Sequence, residues 1–164
     1  MSNRGLRNNK DKTSLLKIMK FFLGGIMGVK IFDKHIVKVD SKGGIKLPEG
    51  FIIEDKTEIC YMNFKEPYFN IYPLQLILNF ADELQAKKKH ASTEEYKKLT
   101  NLIRTLYASI IDTYILDDKR KILLPKQIKD TIEDKKVILQ GVNQHIALCT
   151  NENNYDNLMR KLVP

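Results

Sequence analysis

The sequence predicts a mixed α/β (α+β) fold built from two copies of one small strand–turn–strand–helix unit. Three observations predict it. Val39-Asp40-Ser41-Lys42-Gly43-Gly44-Ile45-Lys46-Leu47-Pro48 returns 77 residues later as Leu116-Asp117-Asp118-Lys119-Arg120-Lys121-Ile122-Leu123-Leu124-Pro125, and from Asp40 to Pro48 five of nine positions are identical. The patterns that follow each copy match element by element. A long helical stretch separates them. A repeat at fixed offset defines the structural unit before any single element does. Half of a 164-residue chain buries too little surface to be stable alone, so the two copies are expected to pack together.

The first copy opens with a strand over residues 29–39 and a charged turn at 40–44. Asp40 suits a turn because its side chain can bond its own backbone two residues on. Gly43 and Gly44 permit positive φ. Ile45 and Leu47 then alternate with Lys46, the period of a half-buried strand. Pro48 fits the first position of a short helix to about residue 53. A strand over 57–63 and another over 69–72 follow, the second ended by Pro73. A helix runs from Leu74 to about Lys88, with Ile77, Phe80 and Leu84 at helical spacing. Ser92-Thr93-Glu94-Glu95 reads as a capping box and opens a helix to about Ile111. The second copy repeats the order: strand 113–116, turn 117–121, strand 122–124, helix 125–132, strand 137–140, turn 141–144, strand 145–149, and a helix from Glu152 to Leu162. These elements divide the chain into a first repeat at 32–76, a helical connection at 77–108, a second repeat at 109–152 and a C-terminal helix at 153–164.

Residues 1–26 are expected to be a non-native or flexible basic extension. Residues 23–27, Leu-Gly-Gly-Ile-Met, are compatible with a ribosome-binding site just ahead of a start at Met27. The apolar run over 15–32 is broken by Lys17, Lys20 and Lys30 and is too short between them to span a bilayer. It also lacks a clear signal-cleavage site.

The net charge of +8 resembles that of a nucleic-acid binder, but residues 1–26 carry five of those charges. The body is only mildly basic, so the placement of charge matters more than the total. Cys60 and Cys149 fall one per repeat in apolar runs and read as buried thiols of a reducing cytosol. A disulfide between them stays open if the halves bring them together. There is no CxxC or His/Cys metal spacing, no GxSxG, no P-loop, no GxGxxG after a strand and no HExxH. His35, His90 and His145 are far apart, and the first and last sit in strands. Asp40 and Asp117 could meet as a carboxylate dyad, though lysines surround both. The residues therefore point away from an enzyme, a cofactor, a metal or a small-molecule substrate.

What remains is the doubled turn. Lys38, Lys42 and Lys46 surround its first copy. The second has Lys119, Arg120 and Lys121, with Lys126 and Lys129 just after. Such clusters are more often solvated faces than binding sites. Recurrence at equivalent corners raises them to candidates for phosphate contact, with Asp40, Gly43, Gly44 and Asp117 shaping the turns.

Two copies of strand–Asp turn–strand–Leu-Pro–helix, joined through a helical segment, resemble the MraZ family of bacterial transcription regulators. Each half is similar to a SpoVT/AbrB-type DNA-binding unit. The resemblance spans roughly residues 31–160. It rests on residues 39–43 with Leu47-Pro48, on Ile71-Tyr72-Pro73, on Leu116-Asp117 with residues 122–125, and on residues 137–142. It implies a double-split β-barrel flanked by helices, a ring-like homo-oligomer, and a cytoplasmic, nucleoid-associated place of work. The implied partner is double-stranded DNA, at short direct repeats upstream of the division and cell-wall gene cluster and in the protein's own promoter. The chain departs from the family's Asp-x-x-x-Arg motif in both copies, with Gly44 and Lys121 at the arginine position. Arg120, where the motif has glycine, is expected to supply the guanidinium from one position away. The alternative is an antitoxin-like or protein-interaction member of the same fold with weakened DNA binding.

Overall fold

The computed structural model describes residues 15, 19, 31–51, 54, 56–64 and 66–163. Among these the order is β1 (Ile31–Lys38), β2 (Gly44–Lys46), β3 (Glu58–Met62), β4 (Phe69–Pro73), α1 (Leu74–Lys88), α2 (Thr93–Ala108), β5 (Ile110–Ile115), β6 (Lys121–Leu123), α3 (Lys126–Lys129), β7 (Lys136–Val142), β8 (His145–Cys149) and α4 (Glu152–Leu162). The mixed α/β class is as expected, with every strand pair antiparallel.

Six strands form one sheet in the order β1-β7-β8-β4-β3-β5, and β2 pairs with β6 as a separate ribbon. Exchange each first-half strand with its second-half counterpart (β1 with β5, β2 with β6, β3 with β7, β4 with β8) and the sheet order reads backwards as itself. The register obeys the same exchange. Ile45 pairs with Ile122 in the ribbon and Asn70 with Ala147 in the sheet. Both pairs are 77 residues apart, so an approximate twofold axis passes through them. The halves are interlocked: β1 pairs with β7 of the other half, and β5 with β3. Neither half alone can pair its first two strands, which is why two such small units form one body.

Side chains alternate across the sheet as period-2 geometry requires. On β3, Ile59 and Tyr61 join a core beneath the ribbon with Ile45, Leu47, Ile122 and Leu124. Cys60 and Met62 point into a second core with Phe80, Leu84, Leu102 and Leu106 of the α1–α2 hairpin. On β8, Ile146 and Leu148 face the ribbon, while Ala147 and Cys149 face α4 through Leu158. The layers are therefore ribbon, sheet and helices. Both thiols are free and buried, in different cores, so the open disulfide does not form. Burial pushes each thiol up to about 12, far from thiolate chemistry at neutral pH.

Several boundaries differ from expectation. No helix forms at Pro48 among the described residues. The chain turns there, with Phe51 N–H donating to Pro48 O at 3.1 Å, and Gly50 adds to the cost of helix. Its counterpart α3 is a single turn with Pro125 at the N-cap rather than the first helical position. Ser92 caps α2 as predicted, its Oγ accepting from Glu95 N–H at 3.2 Å. α2 stops at Ala108 because Ser109 Oγ donates to Thr105 O at 2.7 Å and the chain turns into β5. β7 runs through Gly141 and Val142, leaving only Asn143-Gln144 as the hairpin turn, with Asn143 at φ +52°.

Within 1–26 only Leu15 and Met19 are described. Both are helical and 0% and 1% exposed in the α1–α2 core. The remaining residues of that expectation lie outside the described ones.

Candidate nucleic-acid interface at the paired turns

Both turns are built on the same frame. In the first, Asp40 Oδ1 accepts from Lys42 N–H at 2.9 Å and from Gly44 N–H at 2.8 Å. In the second, Asp117 Oδ1 accepts from Lys119 N–H at 2.9 Å and from Lys121 N–H at 3.2 Å. Residue 43 or 120 then takes the left-handed conformation, Gly43 at φ +82° and Arg120 at φ +59°. The turns are stitched across the axis: Leu47 N–H donates to Arg120 O at 2.8 Å, and Leu124 N–H to Gly43 O at 2.9 Å. Tyr61 of the sheet anchors the ribbon, its hydroxyl donating to Leu123 O at 2.7 Å.

The side chains break the symmetry. Arg120 was expected to supply the guanidinium that the motif position lacks. Instead Nη2 donates to Pro48 O at 3.0 Å and to Phe51 O, and Nε donates to Leu47 O at 3.5 Å. The physical reason lies in the turn at residues 48–51. Leu47 O, Pro48 O and Phe51 O lie within reach of one side chain, and a planar guanidinium supplies several donors at once.

Lys121 is also engaged, its Nζ 2.6 Å from Asp40 Oδ2 of the other turn. The hydrogen bond from Lys121, followed by that from Gly44 N–H, holds the Asp40 carboxyl down at about 2, and Lys121 is pushed up by the same contact. The symmetric pair cannot form, because Gly44 has no side chain to send to Asp117. A Cβ on Gly44 would fall 2.6 Å from Lys121 Cε and 2.7 Å from Asp40 Oδ2. Asp40 thus bonds its own turn and Lys121, Asp117 bonds its own turn, and the dyad considered from sequence does not form.

Lys38, Lys42, Lys46 and Lys119 are exposed. Lys46 lies opposite Lys121 in the ribbon, and Lys38 opposite Lys136 in the sheet. Of the ten sequence candidates, the structure thus brings Asp40, Gly44, Lys46, Arg120 and Lys121 to one strip along β2 and β6. Lys129 was noted only as a nearby cation. It covers Gly43 so closely that a Cβ there would fall 2.2 Å from its Cδ. Lys136 and Tyr61 were not singled out. Lys136 holds the place of Glu58 in the sheet register, 78 rather than 77 residues on, so the repeat extended at its fixed offset lands one residue away, on Lys135.

Among the described residues, no three His, Cys, Asp or Glu side chains are placed to hold a metal ion. Among the same residues, no helix is long and apolar enough to cross a membrane.

Sheet, ribbon and turns together define a class: a mixed α/β, pseudo-twofold protein carrying two basic turns on a ribbon. No family model and no curated protein matches the chain. Among solved structures it is similar to the FliM middle domain from H. pylori, at 11% identity over 98% of this chain and 99% of that one, with a TM-score of 0.30. A likeness that low carries no argument about fold or function.

Proposed function

We propose that this chain is a DNA-binding transcriptional regulator of the MraZ type, with the ribbon and its two turns as the DNA-facing element. The observation that carries the reading is the twofold exchange of strand order and register. It supports reading the sheet and ribbon as a double-split β-barrel of two interlocked SpoVT/AbrB-like halves. The exposed Lys38, Lys42, Lys46 and Lys119 would neutralise phosphates, and cations at fixed spacing would set the register on a duplex. The implied assembly is a ring of identical chains on direct repeats. There several weak interactions raise one another's effective concentration. The working place under this reading is the cytoplasm, at the nucleoid.

The DNA-facing charge falls differently on the two turns than the sequence implied. Arg120 and Lys121 are bonded within the protein, so the open cations belong mainly to the first turn. A shift assay with duplex from the gene's own upstream region should show binding that weakens on Lys42→Gln plus Lys46→Gln. Unchanged binding by that variant would remove the first turn from the interface.

A second reading is favoured by the same geometry. With residue 44 a glycine, Lys121 paired and Arg120 folded inward, the turns offer no exposed guanidinium. A protein-interaction or antitoxin-like member of the fold would tolerate that. Failure to bind any duplex at low salt would select it.

A further inference from the structure

We propose that Asp40 is a built-in competitor for phosphate: it occupies Lys121 in the free protein and must release it when a nucleic-acid backbone reaches the ribbon. The inference rests on the DNA-binding reading above. The Asp40 carboxylate meets Lys121 Nζ at 2.6 Å, across the pseudo-twofold, from a different repeat. Both side chains stay partly open to solvent, Lys121 at 53% and Asp40 at 36%, so a phosphate oxygen can reach the ammonium. A pair this exposed is weakly held and can be exchanged for another anion.

The surrounding residues single out this pair. Asp40 divides its work: Oδ1 holds the turn through Lys42 and Gly44 N–H, and only Oδ2 takes Lys121. An asparagine would keep the first role and lose the second. Asp117 has the same turn role, but the residue facing it by symmetry is Gly44, which carries no cation. Gly44 is also what gives the pair room, since a Cβ there would press on Lys121 Cε and Asp40 Oδ2. The molecule therefore holds one lysine in reserve on one side of a nearly symmetric ribbon.

The test uses the full-length protein and a duplex from the gene's own upstream region, titrated over a range of salt. Asp40→Asn and Asp117→Asn each remove one negative charge, but only Asp40→Asn frees a paired lysine. Asp40→Asn should bind several-fold more tightly than Asp117→Asn. Lys121 reaches the phosphate in wild type too, once its pair opens. The salt slope of Asp40→Asn should therefore differ from that of wild type by less than the roughly 0.9 expected of a wholly new phosphate contact. Adding Lys121→Gln to Asp40→Asn should abolish the tighter binding. Equal affinities for the two asparagine variants, with wild type binding, overturn the competitor role alone. No binding by any of these proteins overturns the DNA reading and the competitor role together.

Discussion

Asp40 uses its two oxygens for different ends, one on its own backbone and one on the opposite repeat. Because the folded carboxyl sits at about 2, below the ordinary 3.8, its pair stabilises the fold above the higher value. That contribution is lost as pH falls toward the lower one. Lys121→Gln should move the Asp40 titration back toward 3.8, as read by carboxyl NMR, and Gly44→Ala should do the same by crowding the pair. An unmoved titration in both would refute the pairing. Arg120 makes a second test. Its left-handed backbone costs about 1 kcal/mol, while its bonds to main-chain carbonyls contribute about 1.5–3 kcal/mol as charged hydrogen bonds. Arg120→Ala loses the bonds and keeps the strain. Arg120→Gly loses the bonds and relieves it, so the glycine variant should melt above the alanine variant. The turn frame was legible in Asp40, Asp117 and Gly43, whereas Gly44 does not take the positive φ expected of it. The fate of Arg120 was not legible, because it depends on the turn at residues 48–51, about 70 residues earlier in the chain.

At the scale of elements, the helices were read well where a stripe or a cap specified them. α1 carries Ile77, Phe80 and Leu84 into the core as its spacing required, and α2 begins at its serine cap. The short segments were read less well. A helix after Pro48 had only a proline to start it and Gly50 inside it, too few residues for periodicity to decide. The strand ends at Gly141-Val142 were misplaced because glycine resembled a turn, while cross-strand pairing with His145 kept the segment extended. Leu15 and Met19 make a prediction at this scale. Both are buried in the α1–α2 core, so Leu15→Ala and Met19→Ala should each cost about 2–5 kcal/mol in chemical denaturation. Substitutions without effect would remove both side chains from that core.

For the whole molecule, the repeat at offset 77 foretold the pairing of two units but not their interlocking. Sequence alone cannot say whether β1 pairs within its own half or across to β7, because both choices satisfy the same alternation. The structure chooses the crossed pairing, with the axis through Ile45–Ile122 and Asn70–Ala147. A chain cut within the 89–92 connection should therefore regain its β signal only when both pieces are mixed, as circular dichroism can show. Folding of either piece alone would refute the interlock. The fold was thus more legible than the surface. Hydrophobic alternation is local, whereas the availability of each lysine depends on what lies across the axis.

The proposed DNA-facing role of the ribbon rests on the exposed lysines of the first turn. It stands or falls on the affinity for the gene's own upstream duplex as a function of salt, measured for wild type and for Lys42→Gln plus Lys46→Gln. Wild-type binding should weaken steeply with salt, and the variant's slope should be shallower by about 2, near 0.9 for each phosphate left without its lysine. Identical slopes, or no binding by the wild type at low salt, would overturn that role.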